Sequence, residues 1–382
     1  MTYTNYLIKE FDVQVNTAKF GKKEDVDELH MMLYPGKTLN RFEDQLNNLS
    51  LAIGRILTLP EFVGFNVIFK RYFLSDAANQ AEFIEKAERS QEYALSMVQQ
   101  QPLNGAKVGV WVYLLKETPI KEALETTCVL RNGYKHLWTT LLRKLDGNSA
   151  EQTKAIFDQY SSILASKGLN LKDHCIRTWI YVQNVDSNYA DVVKARKEIF
   201  NLEGLNEDTH YISCTCIEGK GPYPLSTVLF DGYSVEGLDE GQISFLHAPT
   251  HLSPTILYGV TFERGTTVTY GDRRHIFISG TASIDRNGEI VHPNRIDLQL
   301  QRTLENVGVL LKEAGAGITD IAQLVVYLRD SADYALVNDY METNYPELPK
   351  IIVLAPVCRP GWLIEMECIA IIPFQDERFR NF

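Results

Sequence analysis

Hydrophobic positions in the last third of the chain change period several times, and each change marks an element. GTTVTY (265–270) and HIFISGTASID (275–285) alternate as strands do, and Gly271-Asp272 between them reads as a hairpin turn. From about Asp297 to Ala314 the period lengthens, placing Leu300, Leu304, Val307 and Leu311 on one helical face. Gly315 and Gly317 end that helix. Apolar runs then predict strands in DIAQLVVYL (320–328), KIIVLAPV (350–357) and WLIEMECIAII (362–372), with a second helix starting near Ser331. The predicted order is ββαβαββ.

The middle of the chain repeats that order. ETTCVL (125–130) and KHLWTTLL (135–142) match the opening hairpin, and a helix near 150–166 presents Phe157, Tyr160 and Leu164. HCIRTWIYV (174–182) matches the central strand, and SNYADVVKARKEIF (187–200) the second helix. A shared Tyr-Ala-x-Val, at 189–192 and 334–337, sets the register. YISCTCI (211–217) and LSTVLFDGYSV (225–235) close the unit. A weaker third copy lies in the first 117 residues: a helix over 39–57, a strand over 66–77 and a closing strand over 106–115. The expectation is an α/β (α+β) protein of three tandem modules, at 1–117, 118–235 and 236–382, near the common domain size. A sheet with helices on one face leaves the other apolar, and three such sheets closing a ring bury it; Val110, Val112 and Leu114 alternate as such a sheet requires.

Charge narrows the function. A net charge of −11 with no Lys/Arg-rich run excludes a nucleic-acid surface, so an anionic substrate needs a local basic pocket. The six Cys (128, 175, 214, 216, 358, 368) form no CxxC pair or disulfide framework, and Cys214-x-Cys216 lacks the partner pair of a zinc site. Thr2, Tyr3, Thr4 and Asn5 follow Met1 without an apolar signal region, and no apolar stretch has membrane-spanning length. A cytoplasmic protein with reduced thiols is expected, without membrane association. Neither a P-loop nor a GxGxxG-helix unit is present, so no nucleotide cofactor is implied. A ring closed within one chain makes a monomer or low-order homo-oligomer the expectation.

HIFISGTASID, the helix QLQRTLENVGVLLKEAG (299–315) and the terminal IEME (364–367) resemble the RidA (YjgF) family's strand, first helix and closing motif. That resemblance implies RidA-like (chorismate-mutase-like) modules in an intramolecular pseudo-trimer, with ligand sites at module interfaces. Deaminases of the family carry a carboxylate-gripping Arg in a Pro-Ala-Arg context, where this chain has Leu348-Pro349-Lys350. A narrower branch, the chorismatases, is similar at more positions: ISGTASI (278–284) with Val291-His292, Cys358-Arg359 with Glu365 seven residues after the Cys, Tyr189 and Arg196 seven apart, and Arg264 before the first strand of the last module. In that branch the linker supplies Tyr residues, one of which contacts substrate. Leu246, Ala248 and Leu252 stand at those places here, leaving His247 or Tyr258 to complete the pocket.

The resemblance implies a cofactor-free, metal-free cleavage of the enolpyruvyl ether of chorismate, or a related anion, to pyruvate and a hydroxybenzoate or dihydrodiol. It assigns Glu365 as catalytic acid, Cys358 as the residue of the 3-hydroxybenzoate-forming subtype, and Tyr189, Arg196 and Arg264 as substrate-binding residues. The residue types suit those roles. Glu365 and Glu367 lie two apart on a strand and face one side, where two carboxylates cannot both ionise easily. Two Arg side chains match the two carboxylates of chorismate. Gly280 in Ser279-Gly280-Thr281 is expected to let a ligand approach the backbone. The competing expectation is a RidA-like enamine/imine deaminase, or a non-catalytic protein that binds small carboxylates.

Overall fold

Three sheets with the same internal order account for the repeat. The computed structural model describes residues 1–22, 25–36, 41–123 and 126–382. Numbered one to six within a copy, the strands lie side by side as one, two, three, six, four, five in all three sheets. In the first copy they are Thr2–Ile8, Val13–Lys22, Asp25–Pro35, Phe65–Leu74, Ala94–Gln99 and Val108–Lys116. In the middle copy they are Ile120–Ala123, Thr126–Arg131, Tyr134–Arg143, Cys175–Val182, Ser213–Glu218 and Val228–Glu236. In the last they are Ile243–Leu246, Gly265–Thr269, Arg273–Ala282, Ile321–Leu328, Lys350–Leu354 and Ile364–Pro373. Two helices accompany each sheet: Phe42–Leu57 and Ala77–Glu88, Ser149–Ser166 and Val185–Leu202, Ile296–Glu313 and Tyr334–Asn344.

The order is therefore βββαβαββ, one strand longer at its start than the pattern predicts. The added strands are edges, and Ile120–Ala123 and Ile243–Leu246 have only four residues each, too few for a period to register. Their identity comes from pairing with the second strand. The helix expected over 39–57 starts at Phe42, and positions 39 and 40 lie outside the described residues. In the middle copy the first helix begins with a capping box, Asn148 accepting from Glu151 N while Glu151 accepts from Asn148 N. In the last copy Leu300, Leu304, Val307 and Leu311 are all buried, and Gly315 ends that helix in the left-handed conformation.

Alternation along the sixth strand of the first copy separates two cores. Val110, Val112 and Leu114 pack under that copy's own helices. Trp111, Tyr113 and Leu115 face the pseudo-threefold axis, where they meet Trp138, Trp179, Tyr181, Tyr233, Phe277 and Tyr327. Trp111 and Trp138 each lie 6.4 Å from Trp179, centroid to centroid. The ring is also closed by backbone: Gln101–Pro102 of the first copy pairs with Lys350–Leu354 as a seventh strand of the last sheet.

Register relates the copies residue by residue. The fourth strand of each copy carries the same irregularity against the sixth, at Val67/Phe69, Cys175/Arg177 and Ile321/Gln323. Beyond it, Phe73 pairs with Gly109, Tyr181 with Leu229, and Tyr327 with Glu365. Glu365 thus has Leu229 and Gly109 as its counterparts, and only one of the three copies can supply an acid there. Glu367 has Asp231 and Trp111 as counterparts by the same pairing.

Candidate functional site between the middle and last copies

All five residues expected at the site line one cleft. The middle copy contributes Tyr189 and Arg196 from its second helix and Cys214 and Cys216 from its fifth strand. The last copy contributes Phe262, Arg264, Gly280, Ala282, Ile284, Cys358, Trp362 and Glu365. A seven-residue separation is close to two helical turns, so Tyr189 and Arg196 share the face turned to the last copy. Cys214 and Cys216 are two apart on a strand and face the same way.

Glu365 projects from the sixth strand of the last copy and is buried. Removal from water is the main force on its carboxyl; the negative charge of Glu367 adds to it, and Arg177 and Arg264 oppose it. Together they push the group up to about 8, so it is a neutral acid at pH 7. The room it occupies is made by Gly280, in the bulge between Ile278 and Thr281 on the third strand. A Cβ on residue 280 would lie 2.1 Å from Glu365 Oε1. Gly280 lines the cleft, and Glu365's own carboxyl approaches the backbone there.

The second carboxylate turns away. Glu367 accepts from Arg177 Nη2 at 2.7 Å and from Trp179 Nε1 at 2.9 Å, on the axis rather than in the cleft. The two acids share a face, as period two requires, but serve separate surroundings.

Two guanidinium groups reach the cleft wall. Arg196 donates from Nε to Thr261 Oγ1 at 3.3 Å and from Nη1 to Cys214 Sγ at 3.4 Å, while its buried Nη2 has no hydrogen-bond partner. Arg264 is buried and donates from Nη2 to the Ser253 carbonyl at 3.0 Å. Ser279 fixes the segment that carries it: the Ser279 hydroxyl donates to the Glu263 carbonyl at 2.5 Å and accepts from Cys214 N at 3.0 Å, and its backbone N–H donates to the Arg264 carbonyl at 3.0 Å. One hydroxyl therefore ties the middle copy's fifth strand to the base of Arg264.

Cys358 and Tyr189 come together on the cleft wall across the module boundary. Burial, with the nearby Glu365 carboxyl, pushes the Cys358 thiol up to about 12, and burial raises Cys216 well above its usual range. Both thiols are neutral groups rather than nucleophiles. Among the described residues no cluster of His, Cys, Asp or Glu is arranged to hold a metal ion.

Other candidates lie elsewhere. His247 is exposed and stands 3.7 Å from Glu263, off the cleft wall, so it does not complete the pocket; the side chain of Tyr258 lies outside the described residues. Leu246, Ala248 and Leu252 are buried in the core, and the aromatic wall comes from Phe262 and Trp362 instead. Lys350 is committed, its amine 2.8 Å from Glu342 and 3.1 Å from the Tyr345 carbonyl. Arg177 escaped sequence reasoning, although an Arg inside the apolar run HCIRTWIYV was the available signal.

Among the described residues no helix is long and apolar enough to cross a membrane. The family described as endoribonuclease L-PSP matches residues 267–372, within the last copy. A RutC family protein of Pyrococcus abyssi is 39% identical over 98 residues, which make up 25% of this chain and 76% of that relative. The 3-aminoacrylate deaminase RutC of Acinetobacter baylyi is 29% identical over 97 residues, 25% of this chain and 77% of its own. Over nearly the whole molecule the fold is that of a chorismatase crystal structure, with a TM-score of 0.61, 17% identity, and coverage of 82% of this chain and 96% of that one. The three copies share one RidA-like fold, and through its last copy the chain belongs to the RidA/YjgF superfamily, that of the endoribonuclease L-PSP and RutC proteins.

Proposed function

We propose that the protein cleaves the enolpyruvyl ether of chorismate, or of a closely related dicarboxylate, releasing pyruvate. The observation that carries this reading is a neutral carboxylic acid, Glu365, in a cleft walled by two buried guanidinium groups, one with an unpartnered Nη2. Arg196 and Arg264 take the carboxylates, and Glu365 gives its proton to the terminal methylene carbon of the enol ether. The resulting oxocarbenium centre has two fates. Water adds to it, and the hemiketal collapses to pyruvate and a ring alcohol, the water returning a proton to Glu365. Alternatively the ring C–O bond breaks with its electron pair going to the pyruvate oxygen, and the ring gives a proton to the Glu365 carboxylate, becoming a hydroxybenzoate and restoring the acid. Cys358, a neutral polarizable group beside Glu365, bears on which fate prevails. A deaminase reading is not favoured, because Lys350, at the place of the family's Arg, is held by Glu342.

Incubation with chorismate and an assay for pyruvate tests the reaction; no pyruvate from the intact protein sinks it. Glu365→Gln keeps the shape and removes the acid, with an expected loss of about 10²–10⁴-fold in kcat. Since the acid must be protonated, kcat should hold at neutral pH and fall as pH rises through about 8. A profile flat to pH 10 would contradict the assignment.

A further inference from the structure

Among the described residues the first copy lends none to the cleft, whose lining runs from Tyr189 to Glu365. It does supply the most enclosed charge on the axis. Arg71, on the fourth strand of the first copy, has no exposed surface. Its Nη2 donates to Asp231 Oδ2 at 3.0 Å, and its Nη1 lies 4.0 Å from Glu367 Oε1. Asp231 also accepts from Ser96 Oγ at 2.5 Å and from Leu141 N at 2.9 Å. Glu367 is held by Arg177 and Trp179 from the middle copy. Two buried cations from two copies thus meet two buried anions, one from the middle copy and one from the last.

We infer that Arg71 is a positioning residue for the acid: with Arg177 it balances Asp231 and Glu367 on the axis, so that Arg177 stays paired with Glu367 and is not free to pair with Glu365. The inference rests on the reading of Glu365 as the acid, and it gives the apparently structural copy a part in the chemistry. The geometry favours charge balance over simple packing. Arg71 is enclosed by aromatic rings, its guanidinium carbon 4.4 Å from the Trp179 centroid and 5.2 Å from that of Phe69, so water cannot replace a missing charge. The groups facing Glu365 are Glu367 on its own strand, Arg177 on the middle copy's fourth strand, Cys216 on its fifth, Arg264 before the last copy's second strand, and Cys358 in the loop ahead of the sixth. Tyr181 and Tyr327 face Glu367 and Arg71; burial raises both phenols, which stay neutral.

The experiment follows the Glu365 carboxylic C=O band by pH-difference infrared spectroscopy, the band being assigned by its loss in Glu365→Gln. It needs no substrate, so failure of the chorismate assay and failure of the charge balance are separate results. Asp231→Asn leaves a surplus cation and should move the titration of the band down by about 1 pH unit; Arg71→Met leaves a surplus anion and should move it up by about as much. The neutral double variant should return within roughly 0.3 unit of the parent. Single variants that leave the band unmoved, or move it the same way, overturn the inference. Where a single variant does not fold, Arg71→Lys, which keeps the charge, takes its place. A midpoint within roughly 0.3 unit of the parent supports the role of charge, and a displacement of about 1 unit overturns it.

Discussion

Position 280 has no side chain because Glu365 fills the space one would occupy. An Ala there would put its Cβ 2.1 Å from Glu365 Oε1 and 3.3 Å from Thr215 Cγ2, on a strand that has little room to retreat. The carboxyl must therefore swing off its present line. Gly280→Ala is expected to lower pyruvate formation by about 10²-fold, since a displacement near 1 Å is that costly in an oriented site. The native fold should remain, as near-ultraviolet circular dichroism would report. A variant with parental kcat would separate the glycine from the acid. Gly280 was visible in the sequence, but its reason was not, since the partner lies 85 residues away in the chain.

Helix and strand periods explain which site residues come together. Tyr189 and Arg196 lie two turns apart on Val185–Leu202, so docking that helix against the last copy brings both to the cleft. Arg196→Lys keeps the charge but loses the planar fork, and its expected effect is a KM for chorismate raised about 10–100-fold with a smaller change in kcat. Unchanged KM would remove Arg196 from substrate binding. The helices and inner strands were legible because their apolar periods are long and regular, as at Leu300, Leu304, Val307 and Leu311. The leading edge strands were not, because four residues such as Ile243–Leu246 carry no period and take their identity from a neighbour. Arg71 and Arg177 were passed over for a related reason. Inside FNVIFKRYFL and CIRTWIYV an apolar run announces a buried strand, and the charge within it marks a polar axis only once the other two sheets are in place.

At the scale of the whole molecule, a buried histidine beside the same axis makes its own contribution to stability depend on pH. His136, from the middle copy, is fully enclosed, with Nδ1 2.7 Å from Tyr233 Oη and its ring against Phe382. Burial, aided by His275, depresses it to about 3. The unfolded chain takes up this proton near pH 6.5 and the folded one only near 3, so its contribution is complete above 6.5 and is lost as pH falls between those values. The slope is about 1.4 kcal/mol per pH unit. Glu365 works against it, because its raised affinity favours the folded state as pH falls from about 8 toward 4.5. The measurement that isolates the histidine is the difference in unfolding free energy between parent and His136→Gln from pH 7 to pH 4. That difference should change with pH at about the slope given, and a constant difference would show that His136 does not titrate this way. Ring closure has a consequence of another kind. Pro102 pairs with Val353 and Gln101 with Leu354 across some two-thirds of the chain, and Glu365 lies beyond both partners. A ribosome making this protein releases the first two sheets before Lys350–Leu354, the strand that joins the first copy to the last, and Glu365 have been translated. The growing chain passes most of its synthesis with an open seam and without Glu365, and chaperone binding should concentrate on that unclosed edge.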